Sequence, residues 1–191
     1  MKFNMKNALI LHGAGNYSQG NWFPWLKLEL EKKEYRVWSP DLPNSKEPNQ
    51  SDWLSTIFSN KSWQFSNDSL IIGHSAGATL ILRILEKLSA SVKIKTAILV
   101  SGVVELGTKP EFFKYKRSLV RNPFKWKKIR SSCENFYFIH SDNDPYECGQ
   151  VQGKIMQSHL GGNFIVKKGE GHFNLDISNK YNKFPELLKL S

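Results

Sequence analysis

Cysteine is nearly missing from this chain: its 191 residues include only two, Cys133 and Cys148. Two thiols make no disulfide framework, which excludes a small cross-linked secreted scaffold and leaves both expected as reduced, structural residues. Long apolar runs are missing too. The stretch Met1 to Gly13 carries two lysines, but its apolar run Ala8 to Leu11 is too short for the core of an export signal, and no acceptable cleavage site follows it. No other run reaches the length that spans a bilayer, so a cytoplasmic location is expected. Metal-ligand spacing is absent as well. None of the five histidines stands at a recognised zinc spacing from a cysteine or carboxylate, so neither a metal nor a cofactor is expected. Internal repeats and low-complexity tracts are also wanting. A chain of this length, 40% hydrophobic and 23% charged, can bury one good core but hardly two, and one domain over 1–191 follows.

Acidic residues are in short supply. Lys and Arg number 27 against 17 Asp and Glu, a net charge of +10. Such an excess admits nucleic acid, an acidic surface or an acidic substrate, but most of these lysines are scattered over solvated helix faces, which favours plain solubility.

What the chain does have is a rhythm. Six short apolar runs rich in β-branched residues read as strands: Asn7 to His12, Tyr35 to Ser39, Ser69 to Gly73, Lys95 to Ser101, Asn135 to His140 and Asn163 to Lys167. Between and after them, Trp22 to Lys33, Ser51 to Phe58, Ala78 to Leu88, Tyr146 to His159 and Phe184 to Leu190 read as helices. Strand and helix in alternation predict βαβ units, a parallel sheet and an α/β fold. The tract Val103 to Arg130 has no place in this scheme and is expected to be a cap-like excursion.

The densest signal is Ser69 to Ala78, SLIIGHSAGA, where a buried strand runs through Gly-x-Ser-x-Gly into an apolar helix. A serine hydroxyl is a poor nucleophile unless it is held away from the backbone beside a base, and a sharp strand-to-helix turn does the holding. Ser75 is the expected nucleophile, with Ala76 at the helix start offering its N–H to an oxyanion. A glycine-rich turn with a serine cap is the alternative, and the flanking pattern disfavours it. His74, next to the serine, reads as a packed, hydrogen-bonded histidine.

A base and a carboxylate should follow in the order Ser, Asp, His, in loops at the C-terminal edge of the sheet. The loop after the fifth strand, Ser141-Asp-Asn-Asp-Pro145, offers Asp142 and Asp144, which spacing alone does not separate. The loop after the sixth, Gly169-Glu-Gly-His-Phe173, offers His172 as base. His12-Gly-Ala-Gly15 follows the first strand, and Ala14 is the expected second oxyanion donor.

LHGAG, GHSAG, SDNDP and GHF occur in the order and spacing of the α/β-hydrolase superfamily. With the aromatic segment NWFPWLKLELEK and the stretch NPFKWKKI, nearly the whole chain resembles its small branch, the YdeN and retinoblastoma-binding protein 9 family of serine hydrolases. The resemblance implies a three-layer αβα fold with a six-stranded parallel sheet in order 2-1-3-4-5-6, and it assigns the triad acid to the aspartate before proline, Asp144. It also implies a serine hydrolase acting on a small acyl substrate. Retinoblastoma binding does not carry over, because the chain has no Leu-x-Cys-x-Glu. The 103–130 connection is somewhat longer than the family's.

From Glu111 to Arg130, eight Lys or Arg residues are interleaved with Phe112, Phe113, Tyr115, Phe124 and Trp126. Aromatics among cations suit single-stranded nucleic acid. An amphipathic cap, with its aromatics packed on the core and its lysines solvated, is the favoured reading, so nucleic acid is not expected as a partner. A third reading joins the two: the aromatics wall an acyl pocket and the positive charges draw anionic substrates. Rivals to a small-molecule esterase are a non-catalytic binding protein on the same scaffold and an acyltransferase or lyase using the same residues.

Overall fold

The computed structural model describes residues 6–191; residues 1–5 of the expected 1–191 domain lie outside them. Six strands are present: β1 (Asn7–Leu11), β2 (Arg36–Trp38), β3 (Leu70–His74), β4 (Ile94–Val100), β5 (Cys133–Ser141) and β6 (Asn163–Lys167). They form one sheet in the order β2-β1-β3-β4-β5-β6, with every adjacent pair parallel. This is the expected order and the α/β-hydrolase fold.

The central strands are apolar on both faces because both faces are covered. Alternate residues divide cleanly between two clusters. Leu9, Leu11, Ile71, Ala97, Leu99 and Phe138 face a layer made by α2 (Gln50–Ser59), α3 (Ala76–Lys87) and α6 (Gln150–Leu160). Ala8, Ile10, Ile72, Ile98, Val100 and Ile139 face α1 (Phe23–Lys32) and the C-terminal turns around Tyr181, Phe184 and Leu187. Period-two alternation in the strands thus builds the three layers.

Most boundaries shift by a single residue from the sequence expectation, and four elements differ by two residues or more or in type. Helix α3 starts at Ala76 rather than Ala78, immediately after Ser75. β5 begins at Cys133, two residues early, because Cys133 already pairs in register with Ile94. Tyr146 to Gly149 is a turn rather than the start of α6: the Asp144 carboxylate accepts the Tyr146 N–H, and Glu147 has φ +60°, which no right-handed helix accommodates. Phe184 to Leu190 contains a 3-10 helix, Pro185–Lys189, instead of an α-helix. The 103–130 excursion holds a 3-10 helix (Pro110–Tyr115) and two short helices, α4 (Arg117–Val120) and α5 (Trp126–Ser131).

Arg83, on α3 and 2% exposed, ties this excursion to the body of the protein. Its guanidinium donates to the carbonyls of Leu119 and Asn122, pairs with Glu86 at 3.0 Å and lies 3.7 Å from the Phe124 ring centre. Trp126 stacks on His159 of α6 with ring centres 4.5 Å apart. Phe124 and Trp126 therefore pack against the core, as an amphipathic cap requires, while Arg121, Lys125, Lys127 and Arg130 are exposed.

Candidate active site

Strand β3 passes into α3 through Ser75, whose φ of +55° and ψ of −122° no residue with a side chain adopts without strain. Close packing on both sides holds it there. A Cβ on Gly77 would lie 2.3 Å from the His12 carbonyl oxygen, and one on Gly73 would lie 2.6 Å from the Gly77 oxygen, so only glycine lets strand and helix approach this closely. The Ser75 N–H is spent on the Val100 carbonyl at 2.8 Å. As the first residue of α3, Ala76 has no carbonyl behind it in the helix to receive its N–H.

The two loops beyond β5 and β6 are clamped to each other. Asp142 Oδ1 accepts from Gly169 N at 2.8 Å, Ser141 Oγ from Glu170 N at 3.1 Å and Asn143 Oδ1 from Gly171 N at 2.8 Å. Asp144 then accepts from His172 Nδ1 at 2.7 Å, with its side chain 0% and the histidine's 7% exposed. Sequence spacing left Asp142 and Asp144 open. In the structure Asp142 is exposed and binds backbone, whereas Asp144 is the carboxylate bonded to the imidazole. A carboxylate only accepts, so Nδ1 carries the proton and Nε2 is the ring's free acceptor.

Behind this pair, buried donors hold the His172 backbone. His74 Nε2–H donates to the His172 carbonyl at 2.7 Å, and Trp22 Nε1–H to the Phe173 carbonyl at 3.1 Å. The rings of His74 and His172 lie 4.7 Å apart, and Tyr146 meets His172 edge-on at 4.8 Å. Burial holds His74 down to about 3 and His140 down to about 4, so both rings are neutral. Burial also lowers His12, whose Nδ1–H donates to Gly13 O and whose Nε2 accepts Leu42 N, each at 2.8 Å. For Asp144 burial acts upward, but the bonds from His172 and the Tyr146 N–H, with the nearby hydroxyl of Ser101, outweigh it and hold the carboxyl below its ordinary value. Ser101 is fully buried and has φ +48° at the end of β4; no motif in the sequence marked it.

Ser75, His172, Ala76 and Ala14 line one cavity of about 280 Å³ at the C-terminal edge of the sheet. Gly15, next to Ala14, spends its N–H on Ser45 O at 2.8 Å. Among the described hydrogen bonds Asp144 and His172 are joined, but none joins His172 to Ser75. The Ser75 hydroxyl lies near the thiol of Cys148, on the same wall, and that thiol donates to the Tyr146 carbonyl at 3.4 Å. Cys148 is the residue the sequence reading missed: expected to be merely structural, it stands four positions after Asp144 and reaches the site because His140 Nδ1–H bonds its carbonyl at 2.8 Å. Asp144, Cys148 and His172 could between them offer a metal three ligand atoms within 4.8 Å of one another. Burial drives the thiol pKa strongly upward, and Asp144 and His172 are already committed to each other, so the group is arranged for proton handling rather than for a cation.

Phe112, Tyr115 and Lys116 of the 103–130 excursion complete the cavity with Tyr146. His140 and His159 stand elsewhere, one buried near the end of β5 and one exposed on α6.

Known proteins match along nearly the whole chain. A family model described as serine hydrolase covers residues 8–190. YdeN of Bacillus subtilis (strain 168) is 28% identical over 176 residues, 86% of this chain and 88% of its own. The crystal structure of that gene product superposes with a TM-score of 0.86 at 26% identity, covering 96% of this chain and 95% of the other. The serine hydrolase RBBP9 of Rattus norvegicus is 24% identical over 164 residues, 85% of this chain and 83% of its own. Est1E from Butyrivibrio proteoclasticus, solved with ferulic acid, shares the fold at a TM-score of 0.67 and 14% identity, covering 99% of this chain and 92% of the other. No helix among the described residues is long and apolar enough to cross a membrane. By the family model and its curated relatives, the chain belongs to the serine hydrolase family.

Proposed function

We propose that the protein is a carboxylesterase-like serine hydrolase that cleaves a small ester through an acyl-enzyme on Ser75, with thioesters and amides open to the same chemistry. The observation that carries this reading is the 2.7 Å bond from His172 to Asp144 on the wall of the cavity that Ser75 enters. Rotation about the Cα–Cβ bond takes the Ser75 hydroxyl from Cys148 towards His172 Nε2, which removes its proton as the oxygen attacks the acyl carbon. Asp144 fixes the tautomer and steadies the imidazolium. The N–H groups of Ala76 and Ala14 stabilise the tetrahedral oxyanion, and His172 returns its proton to the leaving group. Water, activated by the same histidine, then releases the acid. The cavity, about 280 Å³, lies at the lower end of ligand pockets and favours a short acyl group. The two apolar clusters share one sheet, which supports a single domain with 103–130 as its cap.

Fluorophosphonate labelling tests the nucleophile: folded protein should be modified at Ser75, and Ser75→Ala should not. A folded protein that stays unlabelled, or equal labelling of the variant, removes the reading. A chain-length panel of 4-nitrophenyl esters beside aminopeptidase substrates then separates ester from amide.

A further inference from the structure

We propose that Lys116 is the specificity-determining residue of this cavity, selecting acyl groups that carry a carboxylate at the end remote from the scissile bond, as in a hemi-ester of a short dicarboxylic acid. The inference rests on the hydrolase reading above and names its substrate class.

Of the eight basic residues between Glu111 and Arg130, Lys116 is the buried one, 4% exposed. It sits at the kink between the 3-10 helix and α4, with φ −141°, and this bend turns its side chain inward to the wall it shares with Ser75. Its ammonium is close enough to Cys148, the neighbour of the Ser75 hydroxyl, to act on the thiol electrostatically.

An ammonium carries three donors, and burying it is costly unless they are used. Here one is used: Lys116 Nζ donates to the Tyr146 carbonyl at 3.3 Å. Glu147 balances the charge from 3.8 Å, beyond hydrogen-bond reach. The Glu147 carboxylate is occupied elsewhere, accepting from Thr108 N and Thr108 Oγ at 2.8 Å and from Lys109 N at 3.2 Å. Lys116 therefore brings a desolvated positive charge with unspent donors into an aromatic-walled pocket. A substrate carboxylate would supply the missing acceptors, and the low polarity of the walls strengthens that pairing. The opposite charge on the same lining, Asp176, is exposed and accepts from Asn174 Nδ2 at 3.2 Å, so it weighs on the solvent side and not on the buried end.

The test compares kcat/KM for mono-4-nitrophenyl glutarate with that for 4-nitrophenyl pentanoate, each corrected for spontaneous hydrolysis. The two acyl chains are equal in length and differ in the terminal carboxylate. Wild-type protein should favour the glutarate by at least tenfold. Lys116→Met should bring the ratio to one or below, and Lys116→Arg should keep most of it. A wild-type ratio of one or less, or an unchanged ratio in Lys116→Met, overturns the proposal. Should that variant not fold, the unaltered protein decides: glutaramate should slow fluorophosphonate labelling of Ser75 at concentrations where pentanamide does not, and equal effects overturn the proposal. Labelling without a preference removes Lys116 alone, whereas absence of labelling removes the hydrolase reading with it.

Discussion

The elbow at Ser75 and the excursion at 103–130 face the same cavity and are built in opposite ways. The elbow is buried backbone forced against backbone: Gly77 lies where a Cβ would meet a carbonyl at 2.3 Å, and Ser75 is held at φ +55°. The excursion is short helical pieces and exposed cations, tied down by the carbonyls it offers to Arg83 of α3. Strain can be stored only where the surroundings cannot relax, so the hydroxyl proposed as nucleophile belongs to the first region. The second tolerates variation and carries the walls that meet the substrate.

Ser75→Ala breaks the contrast most strongly. It should lower kcat by about 10³-fold or more while leaving circular dichroism and urea midpoint nearly unchanged, because the loss lies in the transition state.

Acid should unfold the elbow side first. In the fold burial lowers the pKa of His74 to about 3 and of His140 to about 4, against 6.5 when unfolded. Between those values the unfolded chain binds protons that the folded chain refuses, so stability is complete above about pH 6.5 and falls as pH drops towards 4. At pH 5 the loss should be about 2 kcal/mol for each histidine, read from urea midpoints at pH 7.5 and pH 5. A flat profile would mean that these rings are solvated.

Gly77→Ala should cost about 3 kcal/mol, since the atom it meets is backbone and cannot swing away. Arg83→Met should cost about 2 kcal/mol by leaving the Leu119 and Asn122 carbonyls without their donor. Its signature should be local, with faster amide exchange over 117–126 and little change in β3. Lys127→Glu should be the mildest, within about 0.5 kcal/mol in stability and within about twofold in ester hydrolysis, with no oligonucleotide affinity to lose. Measurable binding of single-stranded oligonucleotide that this change abolishes would return the excursion to the nucleic-acid reading.

Much of the fold was legible because its signals are local. Alternation and β-branching marked all six strands, and Gly-x-Ser-x-Gly between strand and helix marked the elbow. Tyr146 to Gly149 misled because its helical composition is overruled by one hydrogen bond, from Tyr146 N to Asp144, and by the left-handed Glu147. Cys148 was passed over for a related reason: nothing in its spacing shows that His140 bonds its carbonyl and directs it towards Ser75. Composition makes the basic segment uniform, yet its members diverge, because burial belongs to a residue's place and not to its composition.

By itself the sequence determined the layered αβα architecture and, by resemblance, the strand order; it also marked Ser75 and His172 as candidates and, by resemblance, Asp144 over Asp142, since each depends on short-range pattern and chain order. Only the tertiary structure shows Asp144 bonded to the His172 imidazole while Asp142 binds backbone, sets Cys148 and Ser101 beside them, and turns Lys116 inward among seven solvent-facing or half-buried neighbours of like charge. Those outcomes depend on which loops the sheet edge brings together and on what remains desolvated once it has done so, and neither quantity is written in any local stretch of the chain.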